Sequence, residues 1–103
     1  GPMRQLASIG VGCVHFASGR YERAACWVQG GTKAFPGAVW ADRIAVAAAA
    51  HAGAKAEARR IARRLLRKDP RLTVESARKA WPFPAPFMAR LGDGLEIAGV
   101  PRS

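Results

Sequence analysis

The sequence predicts an all-α chain: a short solenoid of about six helices, set as antiparallel pairs. Three observations predict it. Gly19 and Gly53, Ala24 and Ala58, and Pro36 and Pro70 each lie 34 residues apart. Gly before a helix, Ala within it and Pro after it, repeated at such a spacing, mark a helix-pair repeat. Apolar residues elsewhere recur at helical intervals, and no stretch alternates with period two and closes on a hairpin dipeptide, so no strand is expected.

The first helix is expected over residues 4–17, with Leu6, Ile9, Cys13 and Phe16 as its apolar stripe. Gly10 and Gly12 lie inside it, where Gly is unfavourable unless a neighbouring helix comes close. Ser18-Gly19 forms the turn. The second helix, 20–34, carries Tyr21, Ala24, Ala25, Val28 and Gly31 or Thr32 on one face. Phe35-Pro36-Gly37 ends it, because Pro cannot continue a helix and disfavours α geometry in the residue before it.

The third helix, 38–51, has its larger stripe at Trp40, Ile44, Ala47, Ala48 and His51. The run Ala47–Ala50 has so little bulk that another helix can lie very close. Ala52-Gly53 repeats the first turn. The fourth helix, 55–68, is the most amphipathic, with Ala58, Ile61, Ala62, Leu65 and Leu66 opposite Arg59, Arg60, Arg63, Arg64, Arg67 and Lys68. Thr73 is expected to cap a short fifth helix with Glu75 in its first turn. Trp81-Pro82-Phe83-Pro84-Ala85-Pro86 stops that helix and stiffens the connection. The last helix, about 85–98, carries Phe87, Met88, Leu91, Leu95 and Ala98, with Gly99 as its C′ residue.

Length and composition bound the rest. The 103 residues make one domain, residues 4–99, in which 5–38 and 39–72 are the repeats and 73–99 is a degenerate third pair or cap. Gly1-Pro2-Met3 reads as a protease-cleavage scar and residues 100–103 as a tail. No apolar run reaches the ~18 residues of a membrane span. Cys13 and Cys26 have no metal or redox spacing, and suit a reducing cytoplasm as small buried groups. The formal charge of +10 invites an acidic partner; a solvated face rich in Arg is the favoured reading, because net charge alone speaks to solubility and non-specific binding.

The repeat resembles the tetratricopeptide family, and the resemblance implies that the helix pairs stack as a right-handed superhelix. With Pro36 and Pro70 as closing prolines, Gly12 falls at the small position of the first A helix. Ala24 and Ala58 take the small position of the B helices, and Tyr21 the aromatic entry to the first B helix. Ser8 and Asp42 stand where the family has Trp, and Val28 and Ala62 where it has a B-helix aromatic. The strings His15–Ala24, Ala49–Gly53, Leu65–Val74 and Pro82–Pro101 are similar to the C-terminal repeat tails of bacterial adenylate/guanylate cyclase-like proteins and winged-helix regulators. That likeness implies a fragment or relative of a signalling protein's interaction tail, and no cyclase activity, since no cyclase catalytic segment is present.

A catalytic constellation is not expected. Glu22, Asp42, Glu57, Asp69, Glu75, Asp93 and Glu96 are scattered, mostly beside cations, and read as solvated faces or caps. Cys13 and His15 are two residues apart and do not share a helix face. No phosphate loop, zinc spacing or dinucleotide fingerprint occurs. The expectation is therefore a non-enzymatic interaction module with no cofactor and no metal.

In the tetratricopeptide register, the A helices would line a groove that takes a protein or peptide. Phe16, Trp40, Arg43, His51, Arg78 and Trp81 are its candidate contact residues, with Ile9, Cys13, Ala47 and Ala77 between them. Trp40 and Trp81 suit the inter-repeat core equally well. A carboxylate clamp is disfavoured, because Ile9, Cys13, Ile44 and Val74 occupy four of the family's five polar places and only Arg78 fits. The alternatives are nucleic acid or another acidic partner on Arg59, Arg60, Arg63, Arg64 and Arg67, and a homodimer through the first helix. Nucleic acid ranks below protein, because no aromatics interleave the arginines.

Overall fold

A computed structural model describes residues 2–80 and 83–103. Among these residues the fold is all-helical. The helices are α1 (Pro2–Ala17), α2 (Tyr21–Ala34), α3 (Val39–His51), α4 (Lys55–Lys68), α5 (Val74–Lys79) and α6 (Ala85–Ile97). α1 pairs with α2, and α3 with α4. α3 also packs against α2 and α6, and α6 against α5. α3 is thus the central helix, with Ile44 to Ala50 all buried.

The two pairs share backbone geometry at the 34-residue spacing. Gly19 and Gly53 both have positive φ, 78° and 87°, a conformation open to Gly because it lacks Cβ. Arg20 and Ala54 enter the next helix at φ/ψ of −89°/70° and −84°/65°; Phe35 and Asp69 leave it at −127°/73° and −136°/75°. Each turn closes with a backbone bond reaching back five residues, Arg20 N–H to His15 O and Ala54 N–H to Ala49 O. α6 ends the same way, with Gly99 at φ 92° and Val100 N–H bonded to Leu95 O.

The small residues have the expected packing role at some positions. A Cβ on Gly12 would overlap Val28 of α2 and come within 3.2 Å of the Ala24 carbonyl. The Ala47–Ala50 stretch admits α6 so closely that a Cβ on Gly94 would sit 2.6 Å from Ala47 Cα. Gly10 differs: a Cβ there meets nothing within 4 Å. Leu6 also departs from its expected stripe, being 48% exposed while Ile9 and Phe16 are buried. Thr73 caps α5 as expected, accepting from Ser76 N–H while Ser76 Oγ accepts from Thr73 N–H, both at 3.0 Å.

Asp42 overturns the reading of the carboxylates as solvated. It is 1% exposed, and Lys68 Nζ reaches its Oδ2 at 3.1 Å while also donating to the Pro36 carbonyl at 2.9 Å. Arg64 approaches Oδ1 at 3.9 Å. A buried carboxylate is tolerated only when paired and hydrogen-bonded. Asp42 therefore ties the start of α3 to the end of α4.

Candidate functional site

α6 lies over much of the face where the A-helix groove was expected. Phe16 is fully buried, with Phe87 of α6 at 4.7 Å between ring centroids. His51 Nε2 donates to the Arg90 carbonyl at 2.7 Å, and its ring stacks on Tyr21 at 4.6 Å. Arg90 then crosses to the end of α1. It donates to the carbonyls of Phe16 and Ala17 and to Tyr21 Oη, at 2.9–3.0 Å, where the helix dipole favours a cation. Arg78 also turns to α6: its guanidinium donates to the Ala89 carbonyl and to Asp93, both at 2.7 Å. Phe16 is thus buried beneath α6, and His51 and Arg78 hold its carbonyls and Asp93, so all three touch α6 where the sequence suggested a partner.

Trp40 and Arg43 are brought together and remain open. They line a groove of about 440 Å³ between α3 and the start of α6, with Ile44, Ala80, Phe83, Met88 and Leu91 as the apolar walls. Trp40 is 51% exposed. Arg43 is fixed by Asp69, whose Oδ2 accepts from Nη2 at 3.1 Å. Phe83 is stacked on Phe87 at 4.3 Å, which fixes it in the wall of this groove. Trp81, the remaining candidate, lies outside the described residues.

Sequence reasoning missed the walls Ala80, Phe83, Met88 and Leu91, because they join the site only when α6 folds back on α3. It missed the part played by Arg90 for the same reason. A signal existed in Gly92 and Gly94, two helix-interior glycines whose cost needs a close neighbour.

The basic residues of α4 divide into two rows. Arg60, Arg64 and Lys68 lean over the fold: Arg60 pairs with Glu57 at 2.6 Å, and Arg64 and Lys68 face Asp42. The hydrogen bond from Arg60 holds the Glu57 carboxyl below its usual range. Arg59, Arg63 and Arg67 point outward, and among the described residues no ion pair involves them.

The remaining candidates do not converge. Burial pushes the Cys13 thiol up, away from the thiolate form. Cys26 is exposed, contrary to its expected place as a buried small group. Desolvation, followed by the charges of Arg20 and Arg23, keeps the His15 imidazole below its ordinary value. Among the described residues no three His, Cys, Asp or Glu side chains gather as a metal set, and no helix is long and apolar enough to cross a membrane.

A scan against protein-family models finds no match, and neither does a comparison with curated proteins or with solved structures.

Proposed function

We propose that this chain is a non-catalytic protein-interaction module that takes an apolar peptide segment, or a partner's helix, in the groove marked by Trp40 and Arg43. One observation carries the reading: a half-exposed Trp stands beside an ordered Arg at the mouth of an apolar groove of about 440 Å³. Trp and Arg are the residue types that dominate binding energy at interfaces. The apolar walls suit a bulky side chain, and Arg43 favours an acidic neighbour on the ligand. We place the module among tetratricopeptide-like tails of bacterial signalling or regulatory proteins, in the cytoplasm, on the strength of the 34-residue pattern and the two unpaired thiols.

The test is selection of displayed random peptides against the protein, followed by titration of the winners. The expected winners carry a bulky apolar residue next to Asp or Glu, and Trp40→Ala weakens them at least about tenfold while leaving the unfolding midpoint nearly unchanged. Winners that bind wild type and Trp40→Ala alike would overturn the reading.

The row Arg59, Arg63 and Arg67 favours a second reading, contact with a nucleic-acid backbone. Four helical residues rise about 6 Å, so the three guanidiniums form an evenly spaced cationic line with no acid on it. Such contact is sequence-independent and falls steeply with salt. Retention of the wild type on a polyanion column at low salt, lost in the triple Arg→Gln variant, is the expected result. Equal elution of both proteins rejects this reading.

A further inference from the structure

A second cavity, of about 400 Å³, lies between the end of α2, the start of α3 and α4, and shares no residue with the Trp40 groove. α2 contributes Lys33 to its lining, α3 contributes Asp42, and α4 contributes Arg60, Arg64 and Lys68. The last three are four residues apart and so share one helix face. Four cations therefore meet a single carboxylate in the lining.

Much of this charge is left over after the fold has been held. Lys68 stays on Asp42 Oδ2 and the Pro36 carbonyl. Arg60 gives Nε and Nη2 to Glu57 and keeps Nη1. Among the described residues no ion pair involves Lys33. Two buried atoms here have no hydrogen-bond partner: Asp42 Oδ1, an acceptor, and Arg64 Nε, a donor. Arg64 Nη2 stands 3.9 Å from Oδ1, beyond hydrogen-bond distance. Asp42 itself is 1% exposed, and a buried polar atom without a partner is costly.

An unmatched acceptor and unmatched donors at one place suit a group that both accepts and donates. Sulfate near neutral pH only accepts, and it would set a lone pair against Oδ1. A phosphate that keeps a P–O–H accepts from guanidinium and ammonium groups and donates to a carboxylate. Donors from two helices also suit a tetrahedral anion better than a planar carboxylate. A phosphodiester has no P–O–H, which separates this cavity from the line Arg59, Arg63 and Arg67.

We propose that this cavity binds a protonated phosphate group, either the inorganic ion or a monoester. Lys33, Arg60 and Arg64 donate to its oxygens, and Asp42 Oδ1 accepts its hydroxyl. Arg64 keeps 38% of its side chain in solvent, so it follows the anion outward and uncovers Oδ1. Lys68 holds the carboxylate in place from the other oxygen. The proposal is independent of the groove reading.

The experiment titrates the whole chain calorimetrically at fixed ionic strength and about pH 6, where a monoester keeps its proton in part. The titrants are sodium phosphate, glycerol 3-phosphate and sodium sulfate. The phosphates are expected to saturate, with sulfate at least about tenfold weaker. The tighter of the two phosphates identifies the source, ion or ester. Lys33 is exposed, and Lys33→Gln is expected to weaken phosphate about tenfold with the urea midpoint unchanged. Asp42→Asn adds a donor where only an acceptor stood, and is expected to bring sulfate level with phosphate. If that variant does not fold, the Lys33→Gln comparison decides. No saturation by about 10 mM of either phosphate overturns the proposal. So does sulfate bound as tightly as phosphate by the wild type, or a Lys33→Gln chain that binds phosphate like the wild type.

Discussion

The outer faces of α1 and α4 are the two open flanks of the same paired arrangement, and their chemistry is opposite. α1 presents Ala7, Val11 and Val14, while α4 presents Arg59, Arg63 and Arg67. The equivalent face of α2 lies between them in the fold and holds Ala25 and Gln29 beside α3. An uncharged face is compatible with another helix, whereas a row of guanidiniums is stable only in water or against anions. The two flanks therefore differ in what they exclude: the guanidinium row of α4 disfavours a closely packed apolar helix, and the uncharged stretch Gln5–Val14 of α1 does not.

The largest test of this contrast exchanges the two chemistries. Ala25→Arg copies the outward face of α4 onto α2. Ala25 is 9% exposed, so the change forces a charge into the α2–α3 contact and is expected to cost about 3 kcal/mol or more. Arg59→Ala, the reverse change at the equivalent position, is expected within about 0.5 kcal/mol of wild type. Urea denaturation of both variants checks the pair, and equal losses would break the contrast.

A middle-sized effect is expected where the pairs differ at their helix starts. Ser8 and Asp42 are equivalent positions. Among the described residues Ser8 Oγ donates to the Arg4 carbonyl in its own helix, whereas Asp42 joins α3 to Lys68. Asp42→Ala is expected to lose about 2 kcal/mol, moderated because Lys68 keeps 30% of its side chain in solvent. Ser8→Ala is expected to lose under about 0.5 kcal/mol. The same denaturation series reads both.

A further contrast, opposite in sign at its two sites, separates two helix-interior glycines. Gly94→Ala drives a methyl into the Ala47 backbone, 2.6 Å away, and is expected to cost about 1–3 kcal/mol. Gly10→Ala meets open space and is expected to gain about 0.5–1 kcal/mol from helix propensity. Thermal midpoints should move in opposite directions.

Much of the architecture was legible because it is local. Gly19, Gly53 and Gly99 announce turns by backbone freedom alone. The stripe Ala58, Ile61, Ala62, Leu65 and Leu66 announces a helix and its buried side; the first four are buried and Leu66 is half-buried. The candidate site was legible only in part. Trp40 and Arg43 were picked out and stand together, because residues three apart on one helix share a face. Phe16, His51 and Arg78 were picked out and are occupied by α6, which repeat spacing gives no reason to place there.

By itself, the sequence determined the helices, the Thr73 cap, the glycine turns and the 34-residue equivalence of the two pairs, since these follow from backbone preference and periodicity within a few turns of chain. Only the tertiary structure decided which equivalent positions are buried. α6 packs on α3 through Gly94 and Ala47, far apart in the chain. That contact closes most of the expected groove and leaves the Trp40–Arg43 end open. The same reasoning separates Val14 from Ala48: both are small apolar residues on helices of the same kind, and only the presence of a neighbour makes one core and the other surface.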